Sequence, residues 1–290
     1  MSHETLPQKT IQKYLKHLLK ESEGVARADD IEYLHRMRVA TRKLRTAFKV
    51  FKDILPGDDA RRWRREVVAL ADVLGEAREL DVHMEALKEF CARRKEKKYR
   101  VGTDELIAGL RQRRRLVQKK VRMRLARYTT RKHPLRVVGP SMDTLTDPVR
   151  VRVTTRRRLM RLLLELLTYE KYVLKPGKVH ELHQMRIAAK HLRYALEILR
   201  PIYGEKMDRY IRSARKVQRA LGRMHDLDTW IVATPALCGD GEVCAEARYA
   251  AGRFIESCED RRVAEYRKFV CLWNELIKRK TWVGLEMLVG

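Results

Sequence analysis

The stretch LHRMRVATRKLR, beginning at Leu34, returns as LHQMRIAAKHLR beginning at Leu182. At an offset of 148, eight of the fourteen positions from Leu34 to Ala47 are identical, with Leu, His, Met, Arg, Ala, Leu, Arg and Ala in the same order. A second echo follows at an offset of 147: LGEARELDVH from Leu74 meets LGRMHDLDTW from Leu221, keeping Leu, Gly, Leu and Asp and an acidic residue before that second Leu. Chance likeness between amphipathic helices could give one echo, but hardly two at nearly the same spacing, so the chain reads as a duplicated unit. The expected fold is all-α, with two similar helical bundles related by a pseudo-two-fold axis.

Helix breakers are sparse enough to permit this. Only 14 Gly and 8 Pro occur in 290 residues, and the runs between them are rich in Leu, Ala, Arg, Glu and Lys. Helices are predicted over residues 7–21, 30–55, 58–95, 103–130, 148–174, 178–203, 205–234 and 243–280. Pro56-Gly57 and Pro176-Gly177 punctuate them, and TDELIAGL and TDPVR place Thr and Asp where N-caps belong. The segment HPLRVVGPSMDTLTDP, residues 133–148, carries three prolines. It divides a first repeat, 1–132, from a second, 149–290, with 133–148 as the linker.

At 100° per residue the repeated helix separates into two faces. Met37, Ala40, Leu44, Ala47, Phe48, Phe51 and Leu55 fall on an apolar side, while His35, Arg38, Arg42, Arg45 and Lys49 share a narrow basic stripe opposite. In the second copy Met185, Ala188, Leu192, Ala195, Leu196 and Leu199 make the apolar face, and His183, Arg186, Lys190 and Arg193 the basic stripe. Glu197 then stands where Lys49 stands. A face built only for solvation would alternate Glu with Lys at i,i+4 spacing, whereas these stripes stack cations at repulsive spacing. An anion would relieve that repulsion.

Further rows accompany them. Arg111, Arg115 and Arg122 align on one helix, and Arg150, Arg157 and Arg161 on another. Arg212, Lys216, Arg219 and Arg223 form a fourth row, whose first-repeat counterparts are Arg65, Ala69, Asp72 and Glu76. The charge is thus unequal between the halves. In total 65 Lys and Arg face 38 Asp and Glu, a net charge of +27, which argues for a polyanionic partner: nucleic acid, an anionic membrane or polyphosphate. The preponderance of Arg suits bidentate contact with phosphate oxygens.

Other chemistry is less well represented. Cys91, Cys238, Cys244, Cys258 and Cys271 are scattered with no CxxC pair, arguing against a disulfide framework or thiolate zinc site and for a reducing cytosol. The N-terminal MSHETLPQKTIQKYLKHLLKE lacks the apolar core of a signal peptide, and LMRLLLELLTY is broken by Arg161 and Glu165, so a cytoplasmic location is expected. HELHQ, holding His180 and His183, is not HExxH, and Glu32 replaces His180 in the first copy. HDLD, His225 to Asp228, invites a metal-dependent phosphohydrolase, but the first copy has Arg78 and Glu79 there amid a basic surround that repels a divalent ion. The preferred role for Asp81 and Asp228 is to hydrogen-bond and orient neighbouring Arg or His side chains in the wall of a basic cavity. No metal and no cofactor is expected, and Met37 and Met185 belong to the core.

The pairing of LHRMRVATRKLR with LGEARELDV, and of LHQMRIAAKHLR with LGRMHDLDT, resembles the CHAD domain, the conserved histidine α-helical domain, over nearly the whole chain. The resemblance implies two similar helical bundles with a basic central cavity or pore. It also implies binding of inorganic polyphosphate through motif residues that match His35, Arg38, Arg42, Arg45, His183, Arg186, Lys190 and Arg193. Lys49 and the rows Arg111, Arg115, Arg122, Arg157, Arg161, Arg212, Lys216, Arg219 and Arg223 extend the expected binding set. The family's LGxxRDxD-like segment is altered here, with Glu79 for the first Asp in one copy and His225 for Arg in the other. Some relatives join this domain to a catalytic CYTH triphosphatase, but the chain has no E-x-E-x-K motif, so a non-catalytic binding module associated with polyphosphate granules is expected. The alternatives are an RNA- or DNA-binding protein, disfavoured by basic stripes without aromatic platforms, and an enzyme that hydrolyses or transfers phosphate, as a metal-dependent phosphohydrolase or through a phosphohistidine on His35 or His183.

Overall fold

The runs of helix formers become helices throughout a computed structural model that describes residues 5–28, 30–55, 57–128, 148–239 and 243–289. In order they are α1 (Leu6–Arg27), α2 (Ile31–Val50), α3 (Gly57–Ala92), α4 (Lys97–Tyr128), α5 (Pro148–Leu167), α6 (Val179–Tyr203), α7 (Asp208–Ala233), α8 (Ala245–Lys278) and α9 (Thr281–Val289). No strand occurs among the described residues, so the protein is all-α as expected. Local chemistry sets several ends. Asp30 caps α2 by accepting from the Glu32 amide at 2.9 Å, and Gln8 Oε1 accepts from the Thr5 amide at 2.7 Å to close the start of α1. The expected linker lies outside the described residues except for Pro148, where α5 begins.

Three boundaries differ instructively. Thr103 does not cap α4, which starts at Lys97 and buries Thr103 within it. The chain stays helical through Gly102 because α4 meets α8 there: a Cβ on Gly102 would lie 2.1 Å from the Glu246 carbonyl oxygen. Helix α2 ends at Val50 and its last expected residues form turns. Beyond α8, Lys280 adopts a left-handed φ of 50° and reverses the chain into α9, a helix the sequence reading did not include.

Neighbours in sequence are neighbours in space. Helix α1 packs on α2, α2 on α3 and α3 on α4, and likewise α5 on α6, α6 on α7 and α7 on α8. Helices α2 and α6 touch each other, as do α4 and α8, so residues from both parts of the chain share one main core. The apolar faces read from the repeat are all in that core, from Met37 to Leu55 on the first copy and from Met185 to Leu199 on the second. A second cluster joins the end of α3 and start of α4 to α7 and α8, centred on Leu87, Phe90, Leu227 and Phe254. With the apolar faces committed to the core, the polar faces of α2 and α6 meet beside α3 and α7.

Candidate anion-binding site

Two cavities lie along that seam. The larger, about 310 Å³, is lined by His35, Arg38 and Arg42 of α2, Arg78, Glu79 and Val82 of α3, Arg186 of α6, and Gln218, Gly222, His225, Asp226, Thr229 and Trp230 of α7. The smaller, about 110 Å³, is lined by Arg42, Arg45, Thr46 and Lys49 of α2, Arg64 and Val68 of α3, and Lys190, His191 and Tyr194 of α6. Arg42 lines both, so the two are stations on one basic track.

The cations along it crowd one another, with Arg38, Arg42, Arg78, Arg186 and Lys190 half-buried and Arg45 and Arg64 exposed. Burial, and then neighbouring Arg186, Arg42, Arg45 and Arg38, push the Lys190 ammonium down to about 7. Burial followed by Arg42 lowers the Arg38 guanidinium to about 10, and Arg186 is lowered chiefly by burial despite the opposing pull of Asp226. His35 and His183 are both lowered from the ordinary imidazole value, by burial first and then by Arg78 and Arg186 respectively. Buried Nε atoms of Arg42 and Arg186 have no hydrogen-bond partner, and neither does that of Arg158. Enclosed guanidinium donors without acceptors are costly, and an anion carrying several oxygens would satisfy them.

The second echo enters the same cavity. Its His225 approaches His183, with the two Nδ1 atoms 2.8 Å apart. Burial, Arg186, His183 and Lys190 in that order push His225 down to about 3, so it is neutral at ordinary pH. Its Asp226 and the first-copy Glu79 are the carboxylates on the wall. Asp226 is open to solvent through the cavity yet hemmed in by protein, and this enclosure raises its pKa against the pull of Arg186 and Arg38. Asp81 and Asp228 each hold an Arg side chain, but not one of the cavity wall, since Arg114 and Arg262 line neither cavity. Asp81 accepts from Arg114 Nε at 2.9 Å, and Asp228 accepts from Arg262 Nε at 3.0 Å. Arg262 also donates to the Pro176 carbonyl oxygen, pinning the loop that leads into α6.

Other expected residues do not reach the cavities. Arg193 is drawn aside by Glu197 at 3.4 Å and stacks on Tyr194, because the second copy has a carboxylate where the first has Lys49. Lys43 and Arg215 converge on the same Glu197. On α4, Arg111 and Arg115 are exposed, and Arg122 donates to the Ala26 carbonyl oxygen. On α5, Arg157 and Arg161 face outward because Val151, Thr155, Leu159, Leu162 and Leu166 occupy the buried side. Arg158, which borders that side, lies near Glu165 and Arg64, and Glu165 in turn lies 3.8 Å from Lys49. Arg212, Lys216, Arg219 and Arg223 line the outer face of α7, with Arg223 paired to Glu265.

Sequence reasoning missed Arg64, Arg78, His191, Gln218 and the cavity-lining aromatics Tyr194 and Trp230. Arg78 was signalled by its match to His225 in the second echo; Arg64 and Gln218 carried no signal. Tyr194 and Trp230 are 1 % and 9 % exposed, so neither offers an open face for stacking a base. Among the described residues no group of three His, Cys, Asp or Glu is placed to hold a metal ion, and no helix is long and apolar enough to cross a membrane.

Fold and site together define an all-helical protein whose two touching helices carry a file of mutually repelling cations. The chain belongs to the CHAD domain family, whose model matches residues 9–233. Its structure is similar to that of the CHAD domain from the plant Ricinus communis, at a TM-score of 0.72 and 24 % identity, covering 92 % of this chain and 90 % of that one. It is also similar to PptA from Streptomyces chartreusis, at a TM-score of 0.64 and 16 % identity, covering 93 % of this chain and 98 % of that one. No curated protein matches it significantly.

Proposed function

We propose that the protein binds inorganic polyphosphate along the track formed by the two cavities, without catalysing its hydrolysis. The observation that carries this reading is the set of half-buried cations lacking acceptors, with Arg42 and Arg186 each holding a buried, unpartnered Nε. A flexible polymer of tetrahedral oxyanions supplies oxygens at every step of such a track and needs no stacking platform. The two halves, 1–132 and 149–290, act in this reading as a duplicated pair on one ligand, His35 and Arg38 from the first meeting Arg186 and His225 from the second. The protein is then a cytoplasmic module that polyphosphate granules recruit.

Calorimetric titration with long-chain polyphosphate, in competition with single-stranded RNA and DNA at matched salt, tests it. Polyphosphate displacing nucleic acid, with no phosphate released in the presence of Mg²⁺ or Mn²⁺, is the expected result. Preference for nucleic acid, or release of phosphate, would overturn it.

A further inference from the structure

Helix α7 presents a second basic surface that the track does not use. Lys216 lies nine residues before His225, which places the two side chains roughly 180° apart around the helix at 3.6 residues per turn. On the Lys216 side a third cavity, about 350 Å³, opens between α7, α8 and α9, a volume within the usual range of small-ligand pockets. Its cations are Arg209 and Lys216 of α7 together with Arg279 and Lys280 of the α8–α9 turn, and its lining carboxylate is Glu275, which Arg279 engages at 2.6 Å. Free hydroxyl donors come from Tyr210 and Thr281, while Ser213 donates its own to the Arg209 carbonyl oxygen. Arg209 donates to the Tyr210 hydroxyl, and Gly284 lets α9 approach, since a Cβ there would lie 2.9 Å from that oxygen.

We infer that this outer cavity is a separate binding site for a compact phosphate anion. Three cations exceed the one ion pair the cavity contains, and Arg forks with hydroxyl donors match a tetrahedral oxyanion better than a planar carboxylate. Lys280 strengthens the argument. A left-handed φ of 50° at the turn between two helices favours glycine, and lysine occupies it at a conformational cost while lining the cavity. The row that leads to this cavity, Arg212, Lys216 and Arg219, is exposed, and the first half has Ala69 in place of the lining Lys216. The inference does not rest on the inner track.

Calorimetry with tripolyphosphate at fixed ionic strength tests it on a background in which Arg42→Ala and Arg186→Ala disable the track. Residual binding is expected there. It should fall about tenfold or more on adding Lys216→Ala or Lys280→Gly, stay unchanged on adding Arg100→Ala, an exposed cation elsewhere, and be weaker for citrate. Lys280→Gly should not lower Tm, because glycine adopts this turn without strain. In the otherwise unmodified chain, tripolyphosphate should shift the Trp282 indole resonance beside Thr281, and Lys280→Gly should abolish the shift. Absence of residual binding and of the Trp282 shift, equal losses for Arg100→Ala and Lys216→Ala, or equal affinity for citrate would each overturn the site while leaving the inner track standing.

Discussion

His183 and His225 hold their Nδ1 atoms 2.8 Å apart, a separation that one shared proton bridges and two protons oppose. In the first half Arg78 stands where His225 stands in the second, and His35 faces that permanent cation. The two matched positions on the cavity wall therefore differ in kind. Arg78 is a fixed charge, whereas His225, held neutral by burial and by Arg186, gains one only at low pH or beside an anion.

Lys190 makes polyphosphate affinity pH-dependent. In the free protein its pKa is held near 7, mainly by burial and then by four arginines, whereas a bound polyanion favours the charged form and raises it. Below about 7 the ammonium is charged in both states; above, binding must take up a proton. Affinity should be greatest at or below about pH 7 and decline above it, by up to about tenfold per pH unit for one proton, until the bound-state pKa is passed. Titration in two buffers of different ionisation enthalpy would detect the proton uptake, and Lys190→Met should flatten the profile.

Stability responds with the opposite sign. Because the folded pKa of Lys190 lies below its unfolded value of 10.5, the unfolded chain binds more protons between about 7 and 10.5, and this group makes stability rise with pH across that window. Lys190→Met should remove the slope and stabilise the ligand-free protein at neutral pH by roughly 1–3 kcal/mol, measured by urea unfolding.

Arg42 serves both cavities, so it is the most damaging single loss for binding. Arg42→Ala should weaken polyphosphate binding by about 1.5–3 kcal/mol while leaving the fold intact, since its guanidinium repels Lys190 and Arg38 in the free protein. The slope of log affinity against log salt should also become shallower. Unfolding of Arg42→Ala would instead mark the stripe as structural.

The Arg114–Asp81 and Arg262–Asp228 pairs are largely buried, at 15 % and 6 % exposure for the first and 12 % and 19 % for the second. Removing one partner strands a charge. Arg114→Ala and Arg262→Ala should each destabilise by about 3 kcal/mol, and Arg262→Ala should additionally release the Pro176 loop, seen as faster amide exchange at the start of α6.

Two glycines of α4 should respond oppositely to the same substitution. Gly102→Ala drives a Cβ into the backbone of Glu246 and should cost about 1–3 kcal/mol. Gly109→Ala meets nothing within 4 Å and should gain up to about 1 kcal/mol from helix propensity. Thermal melts followed by circular dichroism distinguish them.

Helices and their two faces were legible in the amino-acid order, because helical hydrogen bonds close within four residues and the 3.6-residue period sorts side chains locally. That is why Met37 to Leu55 and Met185 to Leu199 could be assigned to the core and His35 to Lys49 to a basic stripe. Which stripes converge was decided elsewhere. Arg157 and Arg193 look as qualified as Arg42 and Arg186 in one dimension, yet α5 turns the first outward and Glu197 claims the second. Arg64 and Gln218 enter the cavities, and α4 runs past its expected cap, only because α3, α7 and α8 pack where they do. A periodic pattern specifies a face but not the neighbour opposite it, since that neighbour is chosen by core packing between segments far apart in the chain.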